Sequence, residues 1–207
     1  MGSSSLLDII GSFFVAGILL IMGLQLNATS NEVKATYSQN YTLQTNLTTL
    51  VNMLENDFNK IGYCANWRLV ADPTQSIRIA DSNRIRFRTD YNDDGKLDSI
   101  TYWAGPTSEL LDTPNPNDRY LYRQLNNDSI HAQKMNLGIT EFSFTYNDGE
   151  NSLLTFPISD PRQVCYMTLT VAVSEAYPYE EQYTNDPSKY QVYWKQMRLV
   201  THNLTNR

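Results

Sequence analysis

The stretch Ile9-Ile-Gly-Ser-Phe-Phe-Val-Ala-Gly-Ile-Leu-Leu-Ile-Met-Gly-Leu-Gln-Leu26 decides how the chain is read. It carries no charge, and Ser12 and Gln25 are its polar members. As an α-helix it nearly crosses a hydrocarbon core, and with Leu6 and Leu7 it crosses one fully. No other stretch among the 207 residues resembles it. A secretory signal peptide fits poorly, since no Lys or Arg precedes the run and no small-x-small cleavage site follows Leu24 to Asn27. A bilayer anchor and an assembly helix remain.

Asp8 stands at the edge of the run, where a carboxylate is costly unless paired or at an interface. It is either an acid favoured by the start of the helix dipole or an assembly determinant seeking a positive partner, such as a neighbour's N-terminal amine. Inside the run, Ser12 and Ala16 form a small-xxx-small pair that permits close helix approach. Gly11 and Gly17 add to the small surface, and Gly17 and Gly23 are points where the helix can loosen. Asp8, Gly11, Ser12, Ala16 and Gly17 are therefore the candidate assembly residues.

Helical patterning continues past the run. Between Asn27 and Gly62 there is neither Pro nor Gly, and Val33, Tyr37, Gln44, Leu47, Val51, Leu54, Phe58 and Ile61 recur at three- or four-residue steps, with one gap at Asn40. Gly62 suits a helix C-cap. Together the two segments predict one helix of about 55 residues, apolar all round at first and striped later, with Thr29, Ser30 and Asn31 as the place for a break. From Ile77 the period becomes two. Arg84–Thr89, Ser99–Trp103, Arg119–Arg123, Ile139–Tyr146, Cys165–Val173 and Gln191–Val200 read as strands, and their short polar joints predict an antiparallel sheet. Thr113–Asp118 and 177–187 are candidate contact loops. The fold class expected is α+β, with segments 1–27 (membrane or filament-core helix), 28–62 (amphipathic helix) and 63–207 (antiparallel sheet domain).

A net charge of −6 argues against nucleic acid as a partner. Fourteen Tyr suit strands and wet interfaces. Cys64 and Cys165, about 100 residues apart, have no metal-like spacing. They are either a disulfide, which closing such a loop makes worth roughly 4 kcal/mol in the chain-entropy model, or two buried thiols.

Asp90-Tyr-Asn-Asp-Asp-Gly-Lys-Leu-Asp98 is the most pointed local motif. Asp90, Asn92, Asp94, Gly95 and Asp98 take positions 1, 3, 5, 6 and 9 of a calcium loop of EF-hand type, but Thr101 stands where its bidentate Glu belongs. The alternative is a plain hairpin turn at Asp94-Gly95. Catalytic patterns, phosphate-binding loops and zinc spacings are absent from the sequence, so no enzyme is expected. His131 reads as an exposed loop residue and His202 as a chain-end residue. Sequons at Asn27, Asn40, Asn46, Asn127 and Asn203 read as chance in an Asn-rich chain.

Leu6-Leu-Asp-Ile-Ile10, Leu54-Glu-Asn-Asp-Phe-Asn-Lys-Ile-Gly-Tyr63, the Asp90–Asp98 turn leading to Ile100-Thr-Tyr102, and Asn115-Pro-Asn-Asp-Arg-Tyr-Leu-Tyr-Arg123 carry a resemblance. In layout the chain resembles type IV pilins and the pseudopilins of type II secretion, nearest the larger PilW-like minor pilins and the J-type pseudopilins. The resemblance implies a filament subunit that waits in a bacterial inner membrane and then joins other pilin-like subunits in a surface or periplasmic filament. A minor or tip subunit is one form of that role. Such proteins usually carry Glu at the fifth mature position. Here Ser5 stands there, and Asp8 is sixth after a cleavage behind Gly2 or eighth from Met1. The competing reading is a monomeric, membrane-anchored extracytoplasmic binding or adhesion domain.

Overall fold

The computed structural model describes residues 2–70, 72–128, 130–177 and 190–200, with side chains from Leu7 to Leu199. One helix, α1 (Gly2–Asn59), opens the chain. Seven strands follow: β1 (Ile77–Ala80), β2 (Arg84–Thr89), β3 (Asp98–Ala104), β4 (Arg119–Leu125), β5 (Gln133–Asn147), β6 (Tyr166–Ser174) and β7 (Val192–Val200). They form one antiparallel meander in chain order. The expected strands are all present at these positions. By compactness the chain divides into residues 1–42 and 43–207.

The first unit is helix throughout its described residues, and the expected interruption at 27–31 does not occur. The polar residues there satisfy themselves on the helix. Asn31 Nδ2 donates to Asn27 Oδ1 at 2.9 Å, and Thr36 and Thr42 donate to the carbonyls of Glu32 and Ser38. Val33 and Tyr37, expected on the packed stripe, are exposed here, at 54% and 77%.

The second unit begins where the packing begins. Leu43, Leu50, Val51, Leu54, Phe58 and Ile61 are buried, and Leu47 is partly so. Positions 43, 47, 50, 54, 57 and 61 step by four and three, a narrow seam against the sheet. Phe58 is its centre: its ring meets Phe87 and Tyr102 edge-on at 5.5 Å and Phe144 at 6.0 Å. Ile85, Phe87, Ile100, Tyr102, Leu121, Met167, Leu169 and Val171 complete the inner face.

The helix ends as expected near Gly62, which has φ +74°, but its N–H does not return to the helix. It donates to the Arg88 carbonyl at 2.9 Å, and Asp90 N–H donates to Tyr63 O at 2.8 Å. These two bonds fasten the helix exit to the end of β2.

β5 is long enough to serve two partners. Its first half pairs with β4 and its second half with β6, with a register shift between Ile139 and Glu141. The bend is made at Gly138, which has φ +70°. A Cβ there would stand 2.6 Å from Ser174 O, so only glycine fits. Beyond the bend the sheet curls until Phe144 N–H donates to Ser82 O at 2.7 Å, in the β1–β2 turn.

The Cys64–Cys165 bridge is not formed; both are free thiols. Each is held by a different part of the sheet. Cys64 Sγ donates to Asp90 Oδ2 at 3.9 Å beside β2, while Cys165 N–H donates to Asn147 O at the β5–β6 end.

Candidate functional site

Thirteen large apolar residues between Leu7 and Leu26 are exposed, among them Phe13 at 75% and Phe14 at 72%. Leaving so many Leu, Ile and Phe side chains in water costs on the order of 20 kcal/mol, more than a domain's net stability. The segment must therefore be covered by lipid or by other helices. The helix is long and apolar enough to cross a membrane, and none of its apolar window is buried within the chain.

Of the candidate assembly residues, Asp8, Ser12 and Ala16 fall on one face at steps of four. With Ile9 and Phe13 they line an open groove of about 450 Å³. Ser12 Oγ donates to the Asp8 carbonyl at 2.7 Å, so its hydroxyl is neutralised on its own helix. The Asp8 carboxylate has no partner among the described residues. Gly17, nine residues on, lies half a turn round on the opposite face. A Cβ at Gly11 or Gly17 would meet nothing within 4 Å, so packing within the chain does not demand glycine at either.

The half of α1 that packs is locked to the sheet by a buried polar triad. Arg123 Nε donates to Asp57 Oδ2 at 2.7 Å and to Tyr102 Oη at 3.0 Å, and Tyr102 Oη donates to Asp57 Oδ2 at 2.6 Å. The Asp57 and Arg123 side chains are 4% and 9% exposed. Burial and the neighbouring Asp57 push the Tyr102 hydroxyl well above the usual tyrosine range. Burial would lower the Arg123 guanidinium, but its bonds to Asp57 and Tyr102 prevail and raise it. Tyr91 covers the guanidinium, its ring centre 4.9 Å from Cζ. Sequence reading missed this triad. The available signal was Asp57 standing in the apolar seam, one step after Leu54.

The Asp90–Asp98 loop is organised by its own backbone around Asp90. Asp90 is fully buried and both of its oxygens are taken: Oδ2 accepts N–H from Ala65 and Gly95, and Oδ1 accepts from Asp94. Burial tends to raise this carboxyl, but the backbone donors of Ala65, Gly95, Asp94 and Asp93 hold it below the usual carboxylate range. Asn92 Nδ2 donates to Asp94 Oδ2, and Asp98 accepts from Tyr91 N–H and Asn126 Nδ2. No group of three or more acidic, His or Cys side chains suited to a metal occurs among the described residues. The loop is an anchored turn that seats the helix exit.

His131 is exposed as expected, its Nδ1 2.7 Å from Asp128 Oδ2. Asn115 at the Thr113–Asp118 loop is buried and donates to Glu175 O and Ser174 Oγ, so this loop is tied down. Next to it Asp118 is buried, and its Oδ1 has no hydrogen-bond partner among the described residues. Burial pushes its carboxyl up to about 6, against the neighbouring Thr113. The loop 178–187, His202 and Asn203 lie outside the described residues.

Residues 36–199, most of the sheet unit and the packed half of α1, match the profile of prepilin peptidase-dependent protein B. The chain belongs to the prepilin peptidase-dependent protein B family. No curated protein and no solved structure matches it significantly. Membership makes this a pilin-like protein of type IV pilus-related processes, with other pilus or pilin-like components as its partners. The match begins after the apolar run, so the anchor is an independent observation. An apolar N-terminal helix on a prepilin peptidase-dependent protein B chain is a membrane-anchoring element of a surface or periplasmic protein.

Proposed function

We propose that this chain is a structural, non-catalytic subunit of a type IV pilus-like or pseudopilus filament. It waits in the inner membrane by residues 7–26 and then exchanges lipid for the helices of neighbouring subunits. The observation that carries the reading is the row of thirteen exposed apolar side chains on α1, with the family membership beside it. The apolar contact is similar in both states, so transfer from bilayer to bundle costs little apolar burial, and close helix packing decides the direction. The Asp8–Ser12–Ala16 face is the close-approach face, with the Asp8 carboxylate meeting a positive group of the adjoining chain. Its bulky sheet unit suits a minor or tip subunit.

Immunogold labelling of filaments sheared from cells that make the protein tests this. Label on the fibres, concentrated at tips for the minor role, is the expected result. Label confined to washed membranes, with fibres bare, refutes it.

A further inference from the structure

Alternate residues of β2 share a face, and the outward set is Arg84, Arg86 and Arg88, while Ile85 and Phe87 are fully buried beneath. Arg78 of β1 stands beside them. Arg78, Arg86 and Arg88 line one open groove of about 380 Å³, with Leu97 and Asp98 at its rim. None of the three has a carboxylate partner among the described residues, and Asp98 is occupied by Tyr91 N–H and Asn126. Burial and the adjacent Arg78 guanidinium both lower Arg88 from its ordinary value. Three crowded guanidinium groups in a chain of net charge −6 call for an anion from outside.

The surroundings narrow that anion. A long polyanion needs a continuous cationic track. Here the exposed Asp93 and Asp94 follow directly, and the whole chain is acidic. A compact pair of carboxylates fits instead. The chain itself offers one at the β5–β6 connection, Asp148-Gly-Glu150. Asp148 Oδ1 accepts N–H from Glu150 at 2.9 Å and from Ser152 at 2.8 Å, which fixes the turn. Glu150 is exposed and its carboxylate has no partner among the described residues. Arg86 and Arg88 are two residues apart on a strand, roughly 6–7 Å, and Asp148 and Glu150 are likewise two apart on a fixed turn.

We propose that the Arg78–Arg86–Arg88 groove of one copy receives the Asp148–Glu150 turn of a second copy. The contact joins two different patches, so it is head-to-tail and propagates instead of closing into a two-fold dimer. It deepens the filament reading and rests on it for its setting in the cell.

The test uses labelled full-length chain in detergent micelles, with self-association followed by sedimentation at low and high salt. Wild type associates at low salt and separates at high salt. Arg86→Glu alone and Glu150→Arg alone each weaken association about tenfold or more, since each then opposes like charges. Mixing the two variants restores pairing, because the intact groove of one meets the intact turn of the other once in each mixed pair. Arg86→Gln, a milder change, gives an intermediate loss if Arg86→Glu disturbs β2. The proposal is overturned if Arg86→Glu associates like wild type, if the mixture stays apart, or if wild type is monomeric at low salt. It is equally overturned if heparin or an oligonucleotide is held through Arg86 while copies stay separate. Entry of Arg86→Glu into filaments at wild-type levels would remove this contact and leave the filament reading standing. Salt-sensitive pairing without any filament would do the reverse.

Discussion

Replacing Asp57 by Ala strands a buried cation. Arg123 is 9% exposed and its Nε points at Asp57 Oδ2 from 2.7 Å, so the substitution leaves the guanidinium with Tyr102 Oη and a distant Gln133 Oε1 at 3.5 Å. Breaking a buried pair from one side typically costs about 3–5 kcal/mol. For a unit of this size that lowers the melting temperature by about 6–20 °C. The loss falls where α1 meets the sheet, so cooperative unfolding is affected and not only a local turn. The assay is thermal and urea unfolding of the full chain in detergent, followed by near-ultraviolet circular dichroism. Asp57→Leu combined with Tyr102→Phe and Arg123→Met removes both charges together with the buried hydroxyl they satisfy, and recovers most of the loss, since an apolar cluster tolerates that seam. A cost below about 1 kcal/mol for Asp57→Ala, or a triple variant no better than the single, would show that the triad does not hold helix to sheet.

Phe58→Ala removes the ring that meets Phe87, Tyr102 and Phe144, and costs about 3–5 kcal/mol, read by urea midpoint. Asp118, raised from 3.8 to about 6 by burial, contributes stability that is fully present below pH 4 and lost as pH rises through 6. Asp118→Asn therefore raises the melting temperature at pH 7.5, by on the order of 1–2 kcal/mol of stability after solvent screening, and flattens the profile between pH 4 and 6. Asp90 is the opposite case: its depressed carboxyl stabilises above its ordinary value of 3.8 and that share is lost as pH falls further. Asp90→Ala lowers the melting temperature at neutral pH, and a calcium chelator leaves the wild-type value unchanged. A chelator-dependent melt would show that the loop holds a cation.

Six of the seven strands and the helix were legible because both rest on periodicity, and Arg84–Thr89 or Ile139–Tyr146 alternate in sequence as they alternate in the sheet, while the four-residue β1 was too short to be read as a run. The seam of α1 was legible in part. Val51, Leu54, Phe58 and Ile61 pack as read, but Leu43 and Leu50 were passed over for Val33 and Tyr37, whose spacing is equally helical and which are exposed. The Asp90 loop was legible as a turn at Asp94-Gly95, but the gathering of the Ala65, Asp94 and Gly95 N–H groups on Asp90 was not, because Ala65 lies 25 residues away in sequence. Asp57, Tyr102 and Arg123 lie 21 to 66 residues apart in sequence, and only the packing of α1 on β3 and β4 assembles them. Ser12 and Ala16 were paired by counting alone, since helix geometry leaves no choice, and the structure adds Asp8 to the same face.

A photo-crosslinking residue in place of Phe14, which is 72% exposed on the apolar run, gives the most direct measurement. After irradiation of cells, the sheared filament fraction should contain covalent adducts between this chain and the apolar helix of another pilin-like subunit. Adducts to lipid alone, in every fraction and at every stage of growth, would contradict the assignment of residues 7–26 as the packing surface of a filament.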